Sequence, residues 1–234
     1  MARKVTQIVE NQIRAWRRQK TLQASSDKQE KKFPVITISR EFGSPGAALA
    51  GYLGEKMGFN VWDQELLVLI AQELGSDQKF VETLDERRQR VVEDAVAAFL
   101  TNVHTNVNYL HALIRVVRTI EVHGSGIIVG RGSNFICESP QVLNVRLVGP
   151  LKYRINYYAN RFGITREEAG KLAGIKDKER SEFISSNFQK DVSDPLGYDL
   201  VINSSFYDLE QLSDIVMRAY EIKTGMIPVM KEAS

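Results

Sequence analysis

Hydrophobic residues occur along the chain in two patterns, as short apolar runs and as longer segments in which they recur every three or four positions. The short runs are typical of buried parallel strands, and the longer segments are typical of helices that pack on them. Strands are predicted at residues 35–39, 59–62, 126–130, 142–148 and 200–203. Helices are predicted at residues 47–57, 63–74, 151–162 and 208–224, with another that begins at Thr165. This alternation predicts an α/β fold with a parallel sheet.

Residues 77–123 interrupt the alternation, because they contain no strand pattern. Apolar residues at helical spacing predict one helix from Phe80 to Leu100 and a second from Tyr109 to Ile120. We therefore expect a helical insert within the α/β domain.

The beginning of the chain predicts an amphipathic helix followed by a polar linker. Within residues 1–24, apolar residues that include Ile13 and Trp16 follow one helical face, with arginines between and beyond them. Such a helix packs on its own domain, packs on a second copy of the chain or lies on an anionic membrane, and we favour packing within the protein or its twin. The polar residues 25–32 are typical of a linker. A homo-oligomer formed through this helix is one expectation.

Composition narrows the functional classes only slightly. The 234 residues are 43% hydrophobic and 26% charged, as in a globular protein with one core and a small subdomain. The net charge of +2 gives no electrostatic argument for binding to nucleic acid or to a membrane. The single cysteine, Cys137, excludes an internal disulfide, and no apolar run has the length of a membrane span or a secretory signal. A cytoplasmic protein is expected.

The strongest functional signal is the turn Arg40–Gly46, which joins the first predicted strand to the helix that follows it. Its glycines permit a sharp turn and the close approach of an anion, and the N-terminal end of a helix attracts negative charge. A phosphate is the expected ligand, and a glycine turn without a ligand is the open alternative. The Walker pattern is incomplete, because Gly46 occupies the lysine position and Ala47 the hydroxyl position.

Arginines follow several predicted elements near this turn. Arg131 comes directly after a buried strand, so it faces the crevice at the carboxyl end of the sheet. Arg154 and Arg161 are seven residues apart and share one helical face, and Arg180 is expected after the next helix. Arg40 lies beside the turn, and we predict that it replaces the missing lysine. These cations would suit phosphoryl transfer, unless they are ordinary solvated arginines of the surface.

Six short motifs occur in an order and spacing that resemble one family. They are Ile36–Ser44, Val61–Leu67, Val129–Asn134, Arg161–Ile164, Lys176–Arg180, and Asp194–Pro195 followed by Tyr198–Asn203. From about residue 33 to residue 220 the chain resembles the cytidylate kinase-like family of P-loop nucleoside monophosphate kinases. The resemblance implies a three-layer P-loop kinase-type fold with a five-stranded parallel sheet in a domain of residues 33–230. Within it, the helical insert would bind the nucleoside monophosphate and residues 151–190 would form a lid.

The resemblance also implies an activity, the transfer of the γ-phosphoryl group of ATP to CMP or dCMP with Mg²⁺. The residues that border the ATP phosphates would be Gly43, Ser44 and Gly46. The residues that face the nucleoside monophosphate would be Asp63, Arg131 and Asp177. The cations of the lid would be Arg154, Arg161 and Arg180. No residue of the chain is assigned to a metal ion.

The chain departs from the pattern typical of cytidylate kinases at two places. It lacks the loop lysine with its adjacent hydroxyl, and Gly132 stands where an acidic residue follows the arginine. Three hypotheses therefore remain open. The first is a nucleoside monophosphate kinase whose acceptor base the sequence does not specify. The second is a catalytically inactive nucleotide-binding or regulatory protein on the same fold, and the third makes the loop a structural anion site and the amino-terminal helix an oligomerisation element.

Overall fold

The computed structural model of the protein describes residues 10–18, 32–63, 67, 76–100 and 107–227. The chain divides into two compact units. The first unit consists of residues 1–33 and 62–124, and the second of residues 34–61 and 125–234. Among the described residues, no helix is both long and apolar enough to cross a membrane.

Five strands form the sheet. They are β1 (Ile36–Arg40), β2 (Asn60–Trp62), β3 (Gly126–Val129), β4 (Leu143–Val148) and β5 (Leu200–Asn203). Their order is β2-β3-β1-β4-β5, with β1 pairing in parallel with β3 and β4, and β4 in parallel with β5. Ile36, Ile38 and Val145 are fully buried, as expected for central strands that are covered on both faces. The predicted α/β fold with a five-stranded parallel sheet is confirmed.

Local hydrogen bonds define the ends of the longer helices. In chain order, the described helices are α1 (residues 10–18), α2 (Gly46–Met57), α3 (Ser76–Val81), α4 (Glu86–Leu100), α5 (Val107–His123), α6 (Ser133–Ile136), α7 (Leu151–Phe162), α8 (Arg166–Phe188) and α9 (Leu209–Thr224). Thr165 and Glu168 form the predicted capping box at the start of α8, and Asp208 and Gln211 form another at the start of α9. Gly163 ends α7 in the left-handed conformation that favours glycine.

Polar side chains lie on one face of the two central strands β1 and β4. The register places Thr37 opposite Asn144 and Ser39 opposite Arg146. Residues two apart on a strand share a face, so these four residues form one polar face of the sheet. Thr37 Oγ1 donates to Asn144 Oδ1 at 2.7 Å, which satisfies a buried hydroxyl. The polar face leads to the carboxyl end of the sheet, where the functional site is expected.

Helices of the first unit pack around an aromatic cluster. Trp16 of α1 stacks on His123 with ring centroids 3.8 Å apart, and its ring lies 5.4 Å from those of Trp62 and Phe80. Thr83 Oγ1 donates to the Phe80 carbonyl and lies 2.7 Å from His123 Nε2. Because the hydroxyl has only one proton, His123 Nε2 is the donor in the second contact. Burial lowers the pKa of His123, so the imidazole is a neutral member of this core with its proton on Nε2.

Most predicted strand and helix ends agree with the structure to within one residue, as for β1 and α7. The prediction of one helix from Phe80 to Leu100 is wrong, because α3 ends at Val81 and α4 begins at Glu86. Asp85 accepts a hydrogen bond from the Arg88 N–H, so it caps a new helix at that point. The predicted helix 63–74, apart from residues 63 and 67, the linker 25–31 and the amino-terminal helix outside residues 10–18 lie outside the described residues.

Candidate functional site

The loop between β1 and α2 satisfies several of its own backbone donors. The N–H of Glu41 donates to the carbonyl of Leu147 on β4 at 3.0 Å, which fastens the loop to the neighbouring strand. The N–H of Ser44 donates to the Glu41 carbonyl at 3.2 Å, and the N–H of Gly46 donates to the Ser44 carbonyl at 2.9 Å. These bonds give the loop a fixed shape and leave fewer amides for an anion than a phosphate loop ordinarily presents.

The loop and the first turn of α2 keep N–H donors that face no protein acceptor. Among the residues that the structure describes, the N–H groups of Gly43, Ala47 and Ala48 donate to no protein group. The Ser44 hydroxyl is buried and also has no partner within the described part of the chain. Buried polar groups are ordinarily hydrogen-bonded, so this orphaned hydroxyl beside a helix N-terminus fits a phosphate oxygen.

The Asp177 carboxylate of α8 binds another amide of the loop, that of Phe42. Asp177 Oδ1 accepts from the Phe42 N–H at 2.6 Å, and its Oδ2 accepts from Arg154 Nη1 at 2.7 Å. Arg154 also donates to the carbonyls of Phe42 and Gly149, both at 2.8 Å, and its Nε lies 3.2 Å from Glu41 Oε2. Arg154 is only 7% exposed, and its charge is compensated by these two carboxylates. The network ties the loop, α7 and α8 together.

Gly43 allows the loop to approach the start of α7 closely. Its φ is +78°, and a Cβ at this position would overlap the backbone carbonyl of Arg154. Only glycine avoids both the left-handed penalty and this overlap. The glycine predicted to border the ATP phosphates therefore also forms the contact between the loop and α7.

Arg40 extends from the end of β1 across two glycines. Its Cβ and Cγ would lie 3.1 Å from a Cβ at Gly46, and a Cβ at Gly130 would overlap its Nη1. Its guanidinium group therefore lies at the carboxyl end of β3, beside the start of α2. The carbonyl of Arg40 accepts from Arg180 Nη1 at 3.2 Å. The replacement of the loop lysine by Arg40 stays a prediction.

The turn after β3 is held in an uncommon backbone conformation. Gly130, Arg131 and Gly132 have φ angles of +80°, +53° and +67°. A non-glycine residue in this region is strained, and such strain is often found at functional sites. The Arg131 guanidinium lies 5.1 Å from the Phe183 ring, and its Nε is buried without a partner among the described residues. Arg131 therefore lies against α8.

Arg180 has other cations near it, and it lies within α8 rather than after it as predicted, because that helix continues to Phe188. Its Nη1 is 3.7 Å from Asp177 Oδ1. Burial lowers the pKa of the Arg180 guanidinium, Asp177 opposes this effect, and the like charges of Arg146, Arg154 and Arg131 lower it further. Arg131, Arg146 and Arg154 are accordingly within electrostatic range of Arg180, and we call these four residues the arginine cluster. A cluster of this kind attracts a multiply charged anion.

Arg146 is the member of the arginine cluster that the sequence analysis missed. It projects from the polar face of the sheet, where its Nη1 donates to Ser39 Oγ at 3.0 Å and lies 3.4 Å from Tyr198 Oη. The residue is 6% exposed. The available signal was a charged residue inside the predicted strand 142–148, since an arginine is rarely buried in a central strand without a reason.

Two predicted site residues lie apart from the arginine cluster. Arg161 is exposed, and its Nη1 donates to Tyr157 Oη at 3.2 Å, although it shares a helix with Arg154. Arg154 is buried under α8 and Arg161 faces solvent, so the expected convergence of these two arginines on the loop is not seen. Asp63 follows β2 directly, is exposed and belongs to the first unit. Its contact with a monophosphate stays a prediction.

The described residues fit a phosphate better than a metal ion. No group of three or more histidine, cysteine, aspartate or glutamate side chains in the described ranges is arranged to hold a metal. The hydroxyl position of the loop is the methyl group of Ala47. Guanidinium groups, free amides and the Ser44 hydroxyl are instead donors to anionic oxygens.

The strand order and the loop at the start of α2 define a P-loop kinase-type fold. A family model described as the cytidylate kinase-like family matches residues 35–206, which is more than half of the chain. The protein belongs to the cytidylate kinase-like family.

Individual relatives add little on function. The structure of an uncharacterised protein from Eubacterium ventriosum matches with a TM-score of 0.65 and 20% identity, covering 82% of this chain and 99% of that chain. A shikimate kinase from Bacteroides thetaiotaomicron matches with a TM-score of 0.42 and 12% identity, covering 81% of this chain and 97% of that chain. A curated relative, the uronate isomerase of Corynebacterium glutamicum, is 25% identical over 154 residues, which are 65% of this chain and 29% of that protein. The chain thus matches less than a third of this relative's length.

Proposed function

We propose that the protein is a cytoplasmic nucleoside monophosphate kinase that transfers the γ-phosphoryl group of ATP to CMP or dCMP. The observation that supports this proposal is the arginine cluster beside a loop that retains free amides and the orphaned Ser44 hydroxyl. Phosphoryl transfer requires two phosphorylated molecules held in line and cations for the developing charge, and little covalent chemistry from the protein. The family supports the same reaction class.

Most of the site residues have a role that follows from their position. The amides of Gly43 and Ala47 and the Ser44 hydroxyl bind the ATP phosphates, and the absence of a side chain at Gly46 lets them approach. Arg180 neutralises charge on the transferred group, because it reaches the loop from α8. Arg154, whose own charge is compensated by Glu41 and Asp177, holds the loop in place. Arg131 binds the acceptor phosphate, and the roles of Asp63 and Arg161 follow from the family motifs alone. Mg²⁺, when bound with ATP, supplies further charge neutralisation.

A turnover assay tests the proposal. The purified full chain is incubated with ATP, Mg²⁺ and each of the common nucleoside monophosphates, and the diphosphate product is measured. Arg180→Gln is expected to lower kcat on the order of a hundredfold to a thousandfold, because a charged contact to the transferred group is lost. Arg218→Gln is the matched control, since Arg218 is exposed on α9 and pairs with Glu221. Absence of any diphosphate product contradicts the proposal.

A catalytically inactive nucleotide-binding protein is the second candidate. The Asp177 carboxylate on the Phe42 amide favours it, because an internal anion already uses one of the loop donors. The missing lysine and hydroxyl favour it as well. For this candidate, ATP produces no turnover but raises the unfolding temperature. Ligand at about a hundred times its Kd adds roughly 2.7 kcal/mol to the free energy of unfolding. Turnover with any monophosphate contradicts this candidate.

Assembly through the amino-terminal helix is a separate proposal. Sedimentation of the full chain is compared with that of a chain lacking residues 1–24. A dimer that becomes a monomer after the truncation supports oligomerisation through this helix, and an unchanged mass contradicts it.

A further inference from the structure

Trp16 of α1 fills a space between three other elements of the first unit. Its ring lies against Trp62 at the end of β2, Phe80 of α3 and His123 of α5, with centroid distances of 5.4 Å, 5.4 Å and 3.8 Å. The residue is 6% exposed, and Ile13, on the same helical face, is 7% exposed. A large ring in contact with three elements fixes their relative positions, because close-packed interiors transmit small displacements.

The chain after α1 returns to the same end of α5. Lys32 Nζ donates to the carbonyl of Val122 at 3.1 Å. A Cβ on Gly124 would overlap the carbonyl of Phe33, so the two backbone segments pass closely at this point. The family model matches residues 35–206, which begin after these contacts. The amino-terminal segment therefore lies outside the matched domain, yet it is fastened to the helical insert at two neighbouring points.

The end of β2 depends on this packing. The strand has three residues and lies at an edge of the sheet, so neighbouring backbone holds it on one side only. Its last residue, Trp62, is buried, and Asp63 follows directly. The carbonyl of Asp63 accepts from the N–H of the buried Leu67 at 3.0 Å. The position of the Asp63 carboxylate is therefore set by an anchored residue on each side, and one of these, Trp62, is in contact with Trp16.

We infer that Trp16 is a positioning residue, and that α1 is a strap that holds the end of β2 so that Asp63 accepts hydrogen bonds from the nucleoside of the acceptor. The inference rests on the proposed function for the identity of this ligand, but it does not require turnover. A carboxylate suits the hydroxyl and amino groups of a nucleoside, whereas it repels a phosphate. Because this packing uses the apolar face of α1, assembly of two copies would involve its exposed side, which includes Glu10 and Arg14.

Calorimetric titration of the full chain with CMP and, separately, with ATP tests this role. Trp16→Ala is expected to weaken CMP binding on the order of tenfold, because the Asp63 carboxylate is displaced. The affinity for ATP is expected to stay unchanged, because the donors assigned to ATP belong to the second unit. Equal losses of CMP and ATP affinity would show a purely structural role and contradict the inference.

Two further variants serve as controls. Trp16→Phe keeps an aromatic ring and is expected to recover most of the CMP affinity. Arg14→Ala is expected to bind CMP as the wild type does, since Arg14 is exposed on the same helix and pairs with Glu10. Loss of CMP affinity in Arg14→Ala would show that the helix acts through its charge and not through Trp16.

A double variant shows whether Trp16 acts through Asp63. Asp63→Asn alone is expected to weaken CMP binding, because the charged acceptor is lost. The double variant with Trp16→Ala is expected to bind CMP no more weakly than Asp63→Asn, since displacement of the side chain has no further effect once its charge is removed. Losses that multiply in the double variant would contradict action through Asp63.

Hydrogen exchange of the wild-type protein gives an answer even if Trp16→Ala does not fold. Coupling between two sites is reciprocal, so a helix that favours CMP binding is itself stabilised by bound CMP. Saturating CMP is expected to slow amide exchange in residues 10–18, and ATP alone is expected to leave it unchanged. Exchange in α1 that does not respond to CMP contradicts the strap.

Binding and turnover together separate this inference from the proposed kinase activity. CMP binding without diphosphate formation contradicts the kinase and leaves the strap intact. Turnover in the wild type, with unchanged CMP affinity in Trp16→Ala, contradicts the strap alone. A wild-type protein that binds no CMP contradicts both.

Discussion

Asp177 is a single residue whose carboxylate contacts two groups that a phosphate would also use, the Phe42 N–H and the Arg154 guanidinium. An internal carboxylate at this position competes with an incoming anion, and it also compensates a buried cation. Because these two effects have opposite signs, a substitution that removes the Asp177 charge should lower the free energy of unfolding of the protein without ligand and should strengthen anion binding.

Asp177→Asn is expected to lower the free energy of unfolding by about 1–2 kcal/mol, because Arg154 loses a partner that is itself partly exposed. ATP or phosphate is expected to bind several times more tightly to this variant than to the wild type. Urea unfolding and calorimetry measure the two quantities. Glu179→Gln on the same helix is the control, since Glu179 pairs only with the exposed Lys176. Weaker ATP and phosphate binding in Asp177→Asn contradicts competition.

Gly43 and Gly163 permit a second comparison at the residue scale. Both have positive φ, at +78° and +67°, but only Gly43 is packed against another backbone. Gly163→Ala is therefore expected to cost about 1–2 kcal/mol from conformation alone. Gly43→Ala is expected to cost about 1–3 kcal/mol more, because its Cβ overlaps the Arg154 carbonyl. Thermal unfolding measures the loss of stability in both variants. Equal losses would show that the loop moves away from the Arg154 carbonyl without a cost in free energy.

At the scale of elements, His123 on α5 stacks on Trp16 of α1 and bonds to Thr83, which in turn donates to the Phe80 carbonyl of α3. Burial lowers the pKa of His123 from 6.5 to about 3, and the positive charges of Lys32 and Arg88 add to this effect. The folded state therefore resists protonation that the unfolded chain accepts.

Stability is expected to fall as the pH decreases from about 6.5 towards about 3, because the unfolded state binds the proton first. The loss from this group is at most roughly 1.4 kcal/mol per pH unit. Unfolding by urea at a series of pH values measures it. His123→Phe keeps a ring for stacking on Trp16 and is expected to flatten this part of the profile. An identical slope in the variant would exclude His123 as the cause.

Elements with a strong local signal were predictable from sequence. The capping residues Thr165 and Asp208 marked the starts of α8 and α9, and the apolar runs marked the strands, because both signals are local. The break between α3 and α4 was missed, since the helical period continues through it and only the cap at Asp85 ends it.

The only site residues that could be predicted from sequence are those placed by the backbone, at the carboxyl ends of the strands. The loop after β1 and Arg131 after β3 follow from the rule that ligands bind at the carboxyl ends of parallel strands. Arg146 and the Asp177 contact depend on strand register and on how α8 lies over the loop. Neither is encoded in residue spacing along the chain, so pattern analysis could not reveal them. Arg161 shows the converse, because helical spacing placed it correctly on α7 but burial separates it from Arg154.

At the scale of the whole molecule, the net charge of +2 conceals a strongly cationic region. Anion binding is therefore expected to depend on local charge. Raising the salt concentration from about 0.05 M to about 0.5 M is expected to weaken phosphate binding several-fold, because the ligand approaches through solvent that screens charge. The unfolding temperature without ligand should change little, since the Arg154 guanidinium in these pairs is buried. Calorimetry in sodium chloride measures the effect, and salt-independent affinity contradicts it.

The aromatic cluster around Trp16 has a practical consequence. The chain contains two tryptophans, Trp16 and Trp62, and both belong to the first unit. Indole fluorescence therefore reports on that unit alone, whereas far-ultraviolet circular dichroism reports on helices and strands throughout the chain. Coincident transitions of the two signals would show that both units unfold as one cooperative body, and an early loss of indole emission would show that the helical unit melts independently.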